Sequence, residues 1–218
     1  MAGAGRGGGA RAPLRTAMGL ATAPPQPLTC SAEEKRLLTG LAHEAIRRAI
    51  HDRPAPKLPT EAITEKLATP AATFVTLTLD GKLRGCVGNL AVREPLYRSI
   101  ANNAAGAALR DTRFSPVTIQ ELERLEFHIS ILSRLHPVQF KTGAELLAQL
   151  TPGRDGVALR LAGRTATYLP QVWRTFPEKE AFLGSLCRKA GLDAAAWTDP
   201  RAEVLIYRVS EFGDTDDA

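Results

Sequence analysis

The chain has 218 residues, 44% hydrophobic and 23% charged, which excludes a wholly disordered protein and leaves room for one sizeable core or two small lobes. Aromatics make up only 6%, against 18 glycines and 15 prolines, so the core must lean on Leu, Val, Ile and Ala packed between many turns. The net charge of +5 falls to +2 once Arg6, Arg11 and Arg15 are set aside, and Arg outnumbers Lys by 21 to 7, a coding bias more than a basic face. Nucleic-acid binding is therefore not expected, and with no run of about 18 apolar residues neither is a membrane span.

Residues 1–30 hold six of the glycines and four of the prolines and show no apolar period. They read as a disordered extension, either passive or reflecting an over-long start with Met18 as the natural initiator, rather than a targeting peptide or a Gly/Arg tail. From Ser31 the pattern changes. Ser31 and Glu34 form a capping box, and Leu37, Leu38, Leu41, Ala45, Ile46 and Ala49 recur at helical spacing to about residue 51. Pro54, Pro56 and Pro59 forbid its continuation. Alternation over 73–79 predicts a strand, Asp80-Gly81 a hairpin turn, and 82–87 the return strand.

A helix is expected over 94–109, its small residues Ala104, Ala105, Ala107 and Ala108 suited to close packing on a sheet. Residues 111–116 read as loop, Thr118 and Glu121 open a helical turn, and alternation around Phe127, Ile129 and Ile131 gives another strand. Thr142 and Glu145 cap a helix to residue 150. Strands follow over 157–161 and 165–169, joined at Gly163-Arg164. Next come a helix over 178–190, closed by Gly191 as a left-handed cap, and a last strand over 203–209. The order contains hairpin-helix-strand twice. This predicts an α+β fold, bilobed, with antiparallel or mixed sheets, flanking helices and a candidate repeated unit, spanning 31–213 ahead of an acidic tail at 214–218.

Cys30, Cys86 and Cys187, with His43, His51, His128 and His136, form no close-spaced ligand pattern, so neither a metal site nor any other cofactor is implied. An odd number of thiols fits a reducing, cytoplasmic setting. The most unusual chemistry lies in 82–89, Lys-Leu-Arg-Gly-Cys-Val-Gly-Asn. Gly85 and Gly88 in a strand mark a bulge, a bend or a close approach by a ligand or another backbone. Arg84 and Cys86, two apart, would share a face in a regular strand, where a guanidinium favours a thiolate. A two-residue turn at Asp80-Gly81 would set Leu77 against Arg84 and Val75 against Cys86. A longer bulged turn would set Cys86 against Thr76 and Arg84 against Thr78, a more polar face.

Phe74-Val75-Thr76-Leu77 followed by Leu83-Arg84-Gly85-Cys86-Val87-Gly88 resembles the signature of the AMMECR domain family. Asp111-Thr112-Arg113-Phe114-Ser115-Pro116, Ile129-Ser130-Ile131-Leu132-Ser133, Gly153-Arg154-Asp155-Gly156-Val157, Leu169-Pro170-Gln171-Val172-Trp173 and Lys189-Ala190-Gly191-Leu192 resemble its later blocks in the same order. The resemblance implies a bilobed α+β fold and, in bacteria and archaea, a place in a system with a Memo-like protein and a radical S-adenosylmethionine enzyme. The chain lacks the C-x-x-x-C-x-x-C motif of the latter. It supplies no settled reaction.

Arg84, Gly85, Cys86, Gly88, Asp111 and Arg113 fall on family motif positions, whereas His128 does not. Cys86 is read either as a small inert thiol beside a tight bend or as a nucleophile or redox group. Asp111 and Arg113 are read either as a local ion pair or as ligand-binding groups. Two functions follow: a small anionic metabolite bound or transformed near Cys86, with Arg84 or Arg113 as anion partner, or a non-catalytic module that docks a Memo-like protein.

Overall fold

Local chemistry sets the first lobe. The computed structural model describes residues 26–214. The capping box of Ser31 and Glu34 is formed, and helix α1 (Ala32–Ile50) buries Leu38, Leu41, Ala42, Ala45 and Ile46. A short helix α2 (Glu65–Ala68) leads into β1 (Ala72–Leu79) and β2 (Lys82–Gly88). Asp80 and Gly81 between them both take positive φ, 51° and 74°, as a tight two-residue hairpin requires. Helix α3 (Leu96–Leu109) starts two residues later than expected, because Pro95 is extended and a residue before proline is kept out of the helical region. The helical turn α4 (Ile119–Leu122) and strand β3 (Leu125–Leu132) follow.

The second lobe repeats the plan. Strand β4 (His136–Pro137) and helix α5 (Gly143–Gln149) precede β5 (Gly156–Leu161), β6 (Arg164–Tyr168), α6 (Lys179–Lys189), β7 (Glu203–Tyr207) and β8 (Val209–Gly213). The β5–β6 turn lies at Ala162 and Gly163, both at positive φ, one residue earlier than the expected Gly163-Arg164. Gly191 takes φ of 71° after α6, as a left-handed cap demands.

Both sheets are antiparallel, with strand orders β2-β1-β3-β8 and β4-β7-β5-β6. Hairpin, helix and adjoining strand thus occur twice, as β1-β2-α3-β3 and β5-β6-α6-β7. Each third strand runs on into the other sheet, β3 continuing to β4 and β7 to β8. The single last strand expected over 203–209 is therefore two, broken at Arg208. There the crossing chains are clipped together: Ser133 N donates to Arg208 O at 2.9 Å and Arg208 N donates to Ser133 Oγ at 3.0 Å. The short β4 was not foreseen, since two residues ending in proline carry no alternation.

One apolar core lies among α1, α3 and the inner face of the first sheet, with Val75, Leu77, Phe127, Ile129 and Ile131 fully buried. Another joins Leu159, Trp173, Phe182 and Leu186 in the second lobe, with the Trp173 and Phe182 rings stacked at 3.6 Å. The lobes meet where Ala72, Phe74, Leu132 and Val209 pack on Leu169 and Tyr207. Leu28 and Cys30 pack against the first core, so the fold draws on residues before Ser31. The rest of the expected N-terminal extension, 1–25, lies outside the described residues. At the other end Asp214 accepts from Phe127 N at 2.9 Å and contacts His43 Nε2 at 3.3 Å, tying the first tail residue to the domain.

Candidate functional site

The hairpin register decides what surrounds Cys86. The two-residue turn pairs Leu79 with Lys82 and Thr78 with Leu83, but Leu77 then faces Gly85 and Thr76 faces Cys86. Arg84 is the extra residue of this bulge, so the alternation that would have set it beside Cys86 is interrupted. The pairings of Leu77 with Arg84 and Val75 with Cys86 do not occur. Thr76 lies opposite Cys86 although the turn is the short one, because the bulge sits within the strand.

Bulging turns Arg84 toward the loop after α3. Its Nε and Nη2 donate to Glu121 at 2.8 and 3.1 Å, and its Nη1 donates to the carbonyl of Ser115 at 2.9 Å. The guanidinium is thus occupied by protein, and it holds the Glu121 carboxyl down at about 2 together with Thr118 N. Glycines 85 and 88 are also spoken for. A Cβ on Gly85 would run into the carbonyl of Ala107 on α3, and one on Gly88 into the Phe74 ring and the carbonyl of Thr73. Their spaces are filled by protein.

Asp111 and Arg113 cover the free edge of β2. The Asp111 carboxylate accepts from Cys86 N at 2.9 Å, from Arg113 N at 3.2 Å and from the Arg113 guanidinium at 2.6 and 2.9 Å. The Arg113 side chain and these backbone donors hold its pKa well below the ordinary carboxylate range, despite burial that works the other way. Arg113 Nη2 also reaches the carbonyl of Cys86 at 3.4 Å, while its side chain stays 56% exposed. Asp111 is therefore a clamp, and Arg113 is the cation that the clamp holds over Cys86.

The thiol of Cys86 is half-buried and accepts from Thr76 Oγ1 at 3.3 Å. Groups of the second lobe lie within electrostatic range of it. Lys189 at the end of α6 donates to the carbonyl of Thr167 at 2.9 Å and lies 4.7 Å from the centre of the Tyr168 ring. The lysine is exposed along its length, yet protein crowding its ammonium pulls its pKa below the ordinary lysine value; Cys86 opposes this and Arg113 adds to it. Both groups thus feel Lys189 electrostatically. Tyr207, fully buried, donates to the carbonyl of Tyr168 at 3.0 Å and shares a 2.8 Å contact with Thr167. Burial pushes its hydroxyl up, which leaves it a neutral donor.

The structure brings Cys86, Asp111 and Arg113 together and directs Arg84 elsewhere. Sequence reasoning missed Lys189, Thr167, Tyr168 and Tyr207, all from the second lobe. The one available signal was that Lys189 opens one of the family-like blocks. His128 is exposed, in register with Thr76 on the neighbouring strand. Among the described residues no group of three or more His, Cys, Asp or Glu is placed to hold a metal ion, and no helix is long and apolar enough to cross a membrane.

Comparison with known proteins agrees with this architecture. A family model described as AMMECR1 matches residues 39–212. A protein of Thermofilum pendens is 30% identical over 200 residues, 85% of this chain and 92% of its own length. One of Nanoarchaeum equitans is 33% identical over 157 residues, 69% of this chain and 84% of its own. The crystal structure of an uncharacterised protein from Pyrococcus horikoshii superposes with a TM-score of 0.79 at 27% identity, covering 84% of this chain and 92% of that one.

Proposed function

The chain belongs to the AMMECR1 family, and we propose that it binds a small anionic metabolite at the lobe boundary over Cys86, between Arg113 and Lys189. One observation carries this. Arg113 reaches the carbonyl of Cys86 at 3.4 Å, and Lys189 of the other lobe lies within electrostatic range of both residues with no carboxylate within 4.0 Å of its ammonium among the described residues. A cation crowded by protein without a counter-ion is costly, and an anionic ligand relieves the cost. On this reading Cys86 is the nucleophile or redox centre that acts on what is bound.

The test is alkylation of the native protein by iodoacetamide, with Cys30 and Cys187 replaced by serine. Inorganic phosphate or oxalate should slow labelling of Cys86, and Lys189→Met should abolish the protection. Labelling only after denaturation, or labelling indifferent to both anions, would overturn the proposal.

A second reading is docking of a Memo-like protein, acting with a radical S-adenosylmethionine enzyme. Its support is two exposed apolar side chains, Leu83 at 46% and Ile119 at 39%, on segments drawn together by the Arg84–Glu121 pair. Co-purification of a Memo-like protein from the native host, lost in a Leu83→Asp, Ile119→Asp double variant, checks it.

A further inference from the structure

A concave region lies beside the strand crossing at Arg208. Arg154, Arg174, Arg208, Gln26, Gln171 and Glu211 are among the residues that line a cleft of about 340 Å³. Three of these are arginines, from three separate segments: the turn before β5, the helical turn after β6, and the crossing between β7 and β8.

Arg208 is the least free of the three. Its backbone is clipped to Ser133, and its Nη2 lies 3.1 Å from Oδ1 of the fully buried Asp155. Its Nη1 is buried and has no hydrogen-bond partner among the described residues. Arg154 and Arg174 are exposed, and no carboxylate of the described residues lies within 4.0 Å of either guanidinium. The acid at the rim, Glu211, already accepts from Ser130 Oγ at 3.1 Å. The cleft therefore holds one guanidinium with a spare buried donor and two with no carboxylate within 4.0 Å, and guanidinium forks match the oxygens of phosphate and carboxylate.

We propose that this cleft is a second ligand site, taking a small multiply charged oxyanion through Arg154, Arg174 and Arg208. Phosphate and carboxylate groups share that chemistry, and Gln26 and Gln171 provide neutral donors beside it. The site is distinct from the one over Cys86: among the described residues none of its lining side chains hydrogen-bonds or ion-pairs with Cys86, Arg113 or Lys189.

The experiment uses the full chain, with pyrophosphate and citrate as probes, read by calorimetric titration at low and at physiological salt. Saturable binding of one equivalent is expected, with Kd raised at least tenfold in an Arg154→Met, Arg174→Met double variant. Both side chains are on the surface, so the variant should melt at the wild-type temperature without ligand, which separates lost binding from lost folding. A preference for pyrophosphate or for citrate identifies the phosphate or the carboxylate source. Lys189→Met should bind as the wild type does, so failure here is distinguishable from failure of the Cys86 site. Absence of saturable binding by either probe at millimolar concentration, an unchanged Kd in the double variant, or an equal loss in Lys189→Met would each overturn the proposal.

Discussion

Asp111 holds Cys86 by its backbone: the carboxylate accepts the Cys86 N–H at 2.9 Å across the free edge of β2. The same carboxylate, only 6% exposed, also takes the Arg113 guanidinium. Removing it strips two backbone donors and a cation of their acceptor. Hydrogen bonds to charged groups contribute about 1.5–3 kcal/mol each way of counting, so Asp111→Ala should cost about that much stability. Urea denaturation checks this; a midpoint equal to wild type would mean that the loop carries no weight in the fold.

Acid should weaken the fold through the same kind of contact. Asp111 is held below the ordinary carboxylate range, and Glu34 and Glu121 are pushed down to about 2, Glu34 by Ser31 N, Lys66 and Thr64 against its own burial. A carboxylate more acidic in the folded than in the unfolded state stabilises at pH above the unfolded value, about 4 for these groups. That contribution is lost as pH falls toward the folded values. Thermal stability should therefore be flat near neutrality and decline from about pH 5 downward. In Glu121→Gln the decline should be shallower, starting from a lower plateau.

The glycines separate two causes. Gly85 has ordinary φ but no room, since Ala107 O occupies the place of a Cβ, and that neighbour is backbone. Gly81 has open space but φ of 74°. Gly81→Ala should cost about 1 kcal/mol, the penalty of a side chain in the left-handed region. Gly85→Ala must push α3 off the sheet and should cost about 3 kcal/mol or more. Equal midpoints for the two variants would contradict the close approach of β2 and α3.

These elements also mark the limit of what the sequence discloses. The capping box at Ser31, the Asp80-Gly81 turn and the Gly191 cap are local devices, complete within a few residues, and each forms as expected. The bulge at Arg84 is not local: it depends on Glu121 and on the carbonyls of the 111–116 loop. Nor is the break at Arg208, which follows from Ser133 and Asp155, both more than 50 residues away. Cys86, Asp111 and Arg113 were legible from unusual composition and family resemblance. Lys189 was not, because it lies on α6 of the other lobe and its electrostatic link to Cys86 depends on how the lobes pack.

Arg84 and Lys189 should behave differently in a thiol assay, since Arg84 is bound by Glu121 and Lys189 lies within electrostatic range of Cys86. With Cys86 as the only cysteine, Lys189→Met should slow iodoacetamide labelling near neutral pH, and Arg84→Met should leave the rate nearly unchanged while lowering the melting temperature. Slower labelling in Arg84→Met than in Lys189→Met would place the activating charge on the wrong residue.

The crossing of the two long strands supplies the sharpest stability test. Asp155 is fully buried, its Oδ2 accepts from Thr151 N at 2.6 Å, and the Arg208 guanidinium beside it is its ion-pair partner. Burial raises the Asp155 pKa in spite of the Thr151 hydrogen bond and of Arg208. A carboxyl whose folded pKa lies above its unfolded one penalises folding once pH exceeds that folded value, and the penalty is relieved as pH falls. Arg208→Met removes the compensating cation while keeping most of the side-chain volume. Leaving one partner of a buried pair uncompensated costs about 3–5 kcal/mol at neutral pH. The loss should shrink as the medium is acidified, because protonation of Asp155 discharges the orphaned carboxylate, and Asp155→Asn in the same background should restore part of the stability at pH 7. A deficit in Arg208→Met that is the same at pH 5 and pH 8, and that Asp155→Asn does not reduce, would show that Arg208 acts through packing at the strand crossing and not through its charge.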